Sequence, residues 1–68
     1  MTPADIHARI DRRRRALGLS WERLGERAGL DPRTLRRIAE TREGPGLRTL
    51  EQVAAALRCS PAELAGWR

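Results

Sequence analysis

The sequence has no phenylalanine or tyrosine, two tryptophans and a single cysteine among its 68 residues. Platforms for single-stranded nucleic acid stack bases on several aromatic side chains, so the scarcity of aromatics argues against one. One cysteine forms neither an internal disulfide nor a cysteine-based zinc site, which fits a reducing compartment. No apolar run approaches the ~20 residues of a membrane span, and no secretory signal is visible. We therefore expect a cytoplasmic protein without metal, cofactor or membrane.

Arginine is what the sequence has in excess. Fourteen basic residues, all of them arginine, oppose nine acidic ones and give a formal net charge of +5. A GC-rich genome would explain the choice of arginine over lysine, whereas an anionic partner would explain the excess itself. Composition alone leaves both explanations open.

Helix signals run through the chain, whereas only four residues are Ile or Val and no run alternates as a strand would. Capping residues precede four of the predicted helices, and proline follows three of these caps at the first helical position. The caps are Thr2, Ser20, Asp31 and Ser60. The predicted helices cover approximately 3–17, 21–28, 32–40, 47–58 and 61–66. The sequence thus predicts an all-α, compact five-helix bundle that forms one domain over residues 1–68.

The apolar residues support this reading, because they recur at helical spacing. On the fourth helix they fall at Leu50, Val53, Ala54 and Leu57. The predicted core residues on the other helices are Ile6, Ile10, Leu17, Leu24, Ala28, Leu35, Ile38, Leu64 and Trp67. Of these, Leu64 and Trp67 either pack against helix 1 and seal it, or form a dimer interface.

The segment from Ser20 to Glu40 carries the most specific pattern. Two predicted helices of about nine residues are joined by a short turn with glycine, as in a helix-turn-helix. Gly25 lies where the third helix must approach the second, and Gly29 supplies a positive φ at the turn. The pattern therefore predicts a helix-turn-helix, whose second helix enters the major groove in DNA-binding proteins.

The chain also resembles the phage repressor and Cro type of helix-turn-helix, the XRE family, over nearly its whole length. The resemblance is carried by residues 17–20 (LGLS), 24–30 (LGERAGL), 34–38 (TLRRI), 45–50 (PGLRTL), 56–57 (AL) and 60–64 (SPAEL). It implies a lambda-repressor-like fold that binds double-stranded DNA, usually as a homodimer on a palindromic operator. It also implies a small bacterial or phage transcriptional regulator, and a repressor in particular.

Three arginines lie on the third predicted helix, which is the recognition helix that would enter the major groove. If Leu35 and Ile38 face the core, Arg33, Arg36 and Arg37 lie on the outer faces. Arginine reads guanine O6 and N7 with two parallel hydrogen bonds. We expect Arg33 and Arg37 to read base edges, as the resemblance also implies, and Arg36 to contact a base or a phosphate. Simple solvation of these cations is the alternative.

Four further residues complete the predicted DNA contact. By the resemblance, Pro32 occupies another of the family's base-contacting positions. Trp21 stands where the family often has a glutamine that contacts the DNA backbone. Its indole N–H donates to a phosphate, or its ring covers part of the core or lies in a partner interface. Thr34 contacts DNA, or caps or packs within its own helix. Arg42, in the following loop, contacts a phosphate or is solvated.

Two residues depart from the family pattern. Asp31 caps helix 3 but brings a carboxylate towards phosphate, and Pro32 has no donor where glutamine or arginine is common. Both departures favour the alternative function, a protein–protein interaction module that reuses the fold as an antitoxin or as the partner of another regulator.

Four consecutive arginines near the end of helix 1 cover all its sides, because each residue turns by about 100°. Arg13 and Arg14 flank the apolar stripe, and one should lay its stem over the core and pair with an acid. The resemblance points to Arg14, whose usual partner is a glutamate near the end of helix 3, where this chain has an alanine beside Glu40. Arg12 and Arg15 point outward, to solvent or phosphate.

The remaining residues with reactive side chains give no sign of catalysis. We expect His7 at the surface and Cys59 as a small buried filler. No nucleophile–base pair, phosphate loop or ligand cluster is visible, so we expect neither an enzyme nor a small-molecule ligand.

Overall fold

The computed structural model describes residues 3–38, 40 and 44–66. Within them the helices are α1 (Pro3–Ala16), α2 (Trp21–Ala28), α3 (Pro32–Arg37), α4 (Leu47–Ala56) and α5 (Pro61–Ala65). The described residues contain no strand. This architecture confirms the predicted all-α bundle of five helices.

Local hydrogen bonds explain where the helices begin. The Ser20 hydroxyl accepts from the amide of Arg23 at 3.1 Å, and the Asp31 carboxylate accepts from the amide of Arg33 at 2.8 Å. The first turn of α5 is held by a reciprocal capping box between Ser60 and Glu63. Each bond satisfies an amide that has no partner inside its own helix, so these caps fix the starts of α2, α3 and α5.

The end of α4 differs from the prediction. The amide of Cys59 donates to the carbonyl of Ala54 at 3.0 Å, and that of Arg58 donates to Ala55 at 3.2 Å. These are the two bonds of a Schellman motif, which places Arg58 in the left-handed region at φ 57°. An arginine there gives no sequence signal for a helix end, so the predicted end at Arg58 was wrong.

The end of α3 also comes earlier than predicted. The helix ends at Arg37 instead of near Glu40. The amide of Ile38 donates to the carbonyl of Leu35 at 3.4 Å, and the amide of Glu40 donates to that of Arg37 at 2.9 Å. These bonds to the third preceding residue replace the α-helical pattern, because the last turn tightens.

The core lies where α2 packs on α3 and α4, and α4 packs on α5. The largest fully buried side chains are Ile10, Leu24, Leu35, Val53 and Leu57. Since α5 also packs on α1 and Leu64 is buried, the predicted seal over helix 1 is confirmed for that residue. Its companion in the prediction, Trp67, lies outside the described residues.

The expectation that Leu17 joins the core is wrong, because its side chain is 40% exposed. Helix α1 ends at Ala16, and the chain then turns through Gly18, whose φ is +69°. Leu19 is buried instead, immediately before the cap of α2. Together with Leu24 it occupies the two positions of a hydrophobic staple, which fixes how the chain enters α2.

Candidate nucleic-acid interface

The turn between α2 and α3 brings the two helices close together. A Cβ atom added at Gly25 would lie 2.6 Å from the carbonyl oxygen of Leu30 and 3.3 Å from ring carbons of Pro32. Only glycine fits at such a distance from backbone. Gly29 has φ +71°, the conformation expected for it at the turn. Both glycine predictions are therefore confirmed, and the two helices form a helix-turn-helix.

Helix α3 presents four exposed polar side chains on the outside of this unit. Leu35 and Ile38 are buried and attach the helix to the core. The exposed residues that the sequence analysis singled out are Arg33, Thr34, Arg36 and Arg37. Three positive charges within a single short helix, none of them buried, form a surface suited to an anionic partner.

One of these arginines is engaged by α2. The Nη2 atom of Arg36 lies 3.5 Å from a carboxylate oxygen of Glu22, and both side chains are more than half exposed. An exposed ion pair of this length contributes ~0–1 kcal/mol, so Arg36 keeps the freedom to change partners. Sequence reasoning missed Glu22, because an acid in the first turn of a helix is expected there for its own sake.

A cleft of about 260 Å³ separates α3 from the first turn of α4. Thr34 and Arg37 line it from α3, and Thr49 lines it from α4. Thr49 carries no sequence signal of its own, although the segment that contains it belongs to the family resemblance. The cleft joins the beginning of α4 to the polar face of α3.

At the start of α3, Pro32 is turned partly inward, whereas Asp31 is exposed. Pro32 is half-buried, and its ring would touch any side chain placed at Gly25. The Asp31 carboxylate is held by the amide of Arg33, which fixes a negative charge at the tip of α3. Arg42, which the sequence analysis placed beside DNA, lies outside the described residues.

Trp21 packs against the core at the start of α2. Its ring stacks on that of His7, with centroids 5.1 Å apart and planes 22° from parallel. The guanidinium carbon of Arg14 lies 4.6 Å from the Trp21 ring centroid, a cation–π distance. Of the alternatives for Trp21, covering the core is therefore the one whose contacts are present, and His7 is half-buried in the same cluster.

Arg14 is the arginine of helix 1 that pairs with an acid, and that acid is Asp11. Its Nη2 atom lies 2.6 Å from the Asp11 carboxylate, and its Nη1 atom donates to the carbonyl of Leu19 at 2.7 Å. The hydrogen bond from Arg14 and the nearby charge of Arg15 hold the pKa of Asp11 below its ordinary value, against a smaller opposing effect of desolvation. This carboxylate is thus ionised at neutral pH and fixes Arg14 over the core.

Arg13 is exposed, but its guanidinium is bound to the end of α4. Its Nε atom donates to the carbonyl of Leu57, and its Nη2 atom donates to that of Arg58, each at 3.1 Å. These are carbonyls at the end of α4, where a positive charge is favourable. The arginine run of α1 therefore divides into two residues that donate to backbone carbonyls, Arg13 and Arg14, and two with no such bond among the described residues, Arg12 and Arg15.

Within the described ranges, no group of three or more His, Cys, Asp or Glu side chains could hold a metal ion. No helix in that part of the chain is both long enough and apolar enough to cross a membrane.

The fold and this interface define a helix-turn-helix domain, and comparison with known families agrees. A helix-turn-helix family model matches residues 10–64, which is most of the chain. The chain belongs to this family, the XRE or Cro/C1-type regulators, which are DNA-binding transcription regulators. No curated protein and no solved structure gives a significant match.

Proposed function

We propose that this protein is a repressor that binds a specific double-stranded DNA site with α3 in the major groove. The observation that carries the proposal is the division of α3 into two faces. Leu35 is fully buried against the core, while Arg33 and Arg37 stand exposed about one turn apart. A rigidly attached helix with exposed arginines is what direct reading of base edges requires.

The residues of the interface take different roles in this proposal. Arg33 and Arg37 read base edges, with guanine as the preferred base, and Pro32 lies beside them at the tip of the helix. Thr34 contacts DNA next to the cleft that it lines with Thr49. Phosphates are contacted by Arg36, Arg42 and the indole N–H of Trp21.

A homodimer fits this mode of binding. A single α3 reads only a few base pairs, so two copies related by a two-fold axis would read a palindromic operator. Their half-sites would be centred about one helical turn, or ~34 Å, apart.

Fluorescence anisotropy of labelled duplexes tests the proposal. The DNA upstream of the protein's own gene is compared with a scrambled duplex of the same length at two salt concentrations. Preference for the upstream DNA identifies an autoregulator. Equal, salt-sensitive binding to both duplexes identifies a DNA-binding protein whose operator lies elsewhere. No binding even at low salt contradicts the proposal.

A second candidate function is an interaction module for a protein partner. The Asp31 carboxylate at the tip of α3 supports it, because this charge opposes phosphate but can accept hydrogen bonds from the amide and basic groups of a protein. The inward packing of Pro32 supports it too, because this tip position offers no donor to a base. The anisotropy experiment separates the candidates, since this module would leave both duplexes unbound at low salt.

A further inference from the structure

A second cleft, of about 240 Å³, lies between α1 and α5. We name it the α1–α5 cleft; it is lined by Arg9, Arg12, Arg13 and Ala16 of α1, and by Cys59, Glu63 and Leu64. Cys59 follows the end of α4, whereas Thr49 in the first turn of α4 lines the cleft beside α3. Because the ten residues of α4 span about 15 Å, the two clefts lie towards opposite ends of that helix.

Two arginines of the α1–α5 cleft are held in place by backbone carbonyls. Arg9 donates from Nη1 to the carbonyl of Glu63 at 3.1 Å. Arg13 donates to the two carbonyls at the end of α4. A guanidinium has more N–H groups than these bonds use, so each arginine keeps donors for an incoming carboxylate. Side chains that are already ordered lose little entropy when a ligand binds.

The third arginine, Arg12, is exposed and has no hydrogen-bond or ion-pair partner among the described residues. The carboxylate of Glu63, the one acid lining the cleft, accepts from the amide of Ser60 at 2.7 Å. Three positive charges therefore face a single negative charge that is already engaged. This balance attracts an anionic ligand.

The floor of the cleft is apolar. Leu64 is 2% exposed, and Cys59 packs half-buried against the core. Burial raises the pKa of the Cys59 thiol, more than the charge of Arg13 lowers it, so the thiol is neutral at neutral pH. A concave apolar floor accepts an aliphatic side chain, which a DNA backbone does not offer.

We propose that the α1–α5 cleft docks an acidic peptide segment of a partner protein. Carboxylates of the segment pair with Arg9, Arg12 and Arg13, and an aliphatic side chain between them rests on Leu64 and Cys59. This contact is independent of α3, so the partner binds whether or not α3 is occupied.

Two synthetic peptides test the proposal by titration into the ¹⁵N-labelled chain at low salt. The first is acetyl-Asp-Glu-Leu-Glu-Asp-amide, and the second has serine in place of leucine. We expect the first peptide to shift the amide signals of Arg12, Cys59 and Glu63 while those of Thr34 and Arg37 stay in place. The serine peptide should bind more weakly, because it leaves the apolar floor uncovered.

Variants of two exposed arginines supply the matched comparison. Arg12→Ala should weaken binding of the leucine peptide about fivefold, the upper range for an exposed ion pair. Arg27→Ala removes the same charge from an exposed position of α2 and should leave peptide affinity unchanged. Three results would overturn the proposal: no binding at low salt, signal shifts centred on α3, or equal losses in the two variants. A duplex whose affinity depends on Arg12 while the peptide's does not would assign the cleft to DNA instead.

Discussion

The arginines of α1 and those of α3 carry the same charge but differ in their contacts. Arg13 and Arg14 donate to backbone carbonyls and to Asp11, and Arg14 is only 14% exposed. Arg33 and Arg37 stand exposed on α3, with no side-chain partner among the described residues. The number of arginines on a helix therefore does not show which helix contacts DNA. Among the described residues, Arg33 and Arg37 have no side-chain partner and are free to contact DNA, whereas Arg13 and Arg14 use some of their donors inside the molecule.

The largest effect on stability is expected from removing Arg14, whose guanidinium is held inside the molecule. Arg14→Ala should lower the free energy of unfolding by about 2 kcal/mol, because it removes charged hydrogen bonds and buried stem from above the core. Urea denaturation followed by circular dichroism measures the change.

Arg15→Ala is the matched control for that variant. Arg15 contacts the same carboxylate of Asp11 at 3.1 Å, but its side chain is 73% exposed. Its loss should cost less than about 0.5 kcal/mol. Equal destabilisation by the two variants would contradict the assignment of Arg14 to the inside of the molecule.

Removing an arginine from α3 should have the opposite pattern of effects. Arg37→Ala should leave the unfolding midpoint unchanged and weaken specific DNA binding by about 1–3 kcal/mol, with relaxed preference at guanine positions. A binding selection from a randomised duplex pool measures that preference. Arg27→Ala serves as the equal-charge control, and an unchanged preference in Arg37→Ala would refute its role in base reading.

Arg36 is intermediate between the bound arginines of α1 and the unpaired arginines of α3, because it is exposed but paired with Glu22. Glu22→Gln should strengthen DNA binding about threefold, because it frees Arg36 and removes a negative charge near the DNA. A double-mutant cycle with Arg36→Ala measures whether the two residues act together. In the glutamine background, Arg36→Ala should cost more DNA affinity than in the wild type. Additive effects would show that the 3.5 Å pair has no bearing on binding.

The smallest expected effect is a pH dependence centred on Asp11. Its pKa is lowered in the folded protein, so its contribution to stability is complete above the ordinary value of 3.8 and is lost as the pH falls through the folded pKa. Relative to Asp11→Asn, the wild type should therefore lose stability in acid. Parallel unfolding curves for the two proteins down to about pH 3 would rule out this contribution.

The sequence predicts the helix starts and the helix-turn-helix because their causes are local. The caps at Ser20, Asp31 and Ser60 act within three residues, and Gly25 and Gly29 have the expected close approach and φ. The pairing of Asp11 with Arg14 is also local and could have been found from its helical spacing. The resemblance pointed to Arg14 but did not supply this partner, because the chain has an alanine at the position of the usual glutamate near the end of α3.

Contacts between helices were beyond sequence reasoning. The stack of His7 on Trp21 joins α1 to α2, and the pairing of Glu22 with Arg36 joins α2 to α3. Both depend on how the helices cross, which no local pattern states. The exposed arginines of α3 were named correctly as outer residues, but what they touch stays a prediction until DNA is bound.

The salt dependence of DNA binding by two double variants tests the central claim most directly. Arg33→Ala/Arg37→Ala and Arg12→Ala/Arg15→Ala remove equal charge from α3 and from the exposed side of α1. Anisotropy titrations across a range of salt concentrations give the affinity and the number of phosphate contacts from the slope. We predict that the α3 variant loses specific binding, while the α1 variant keeps both affinity and slope close to the wild type. Loss of binding in the α1 variant, with the α3 variant unaffected, would contradict the account.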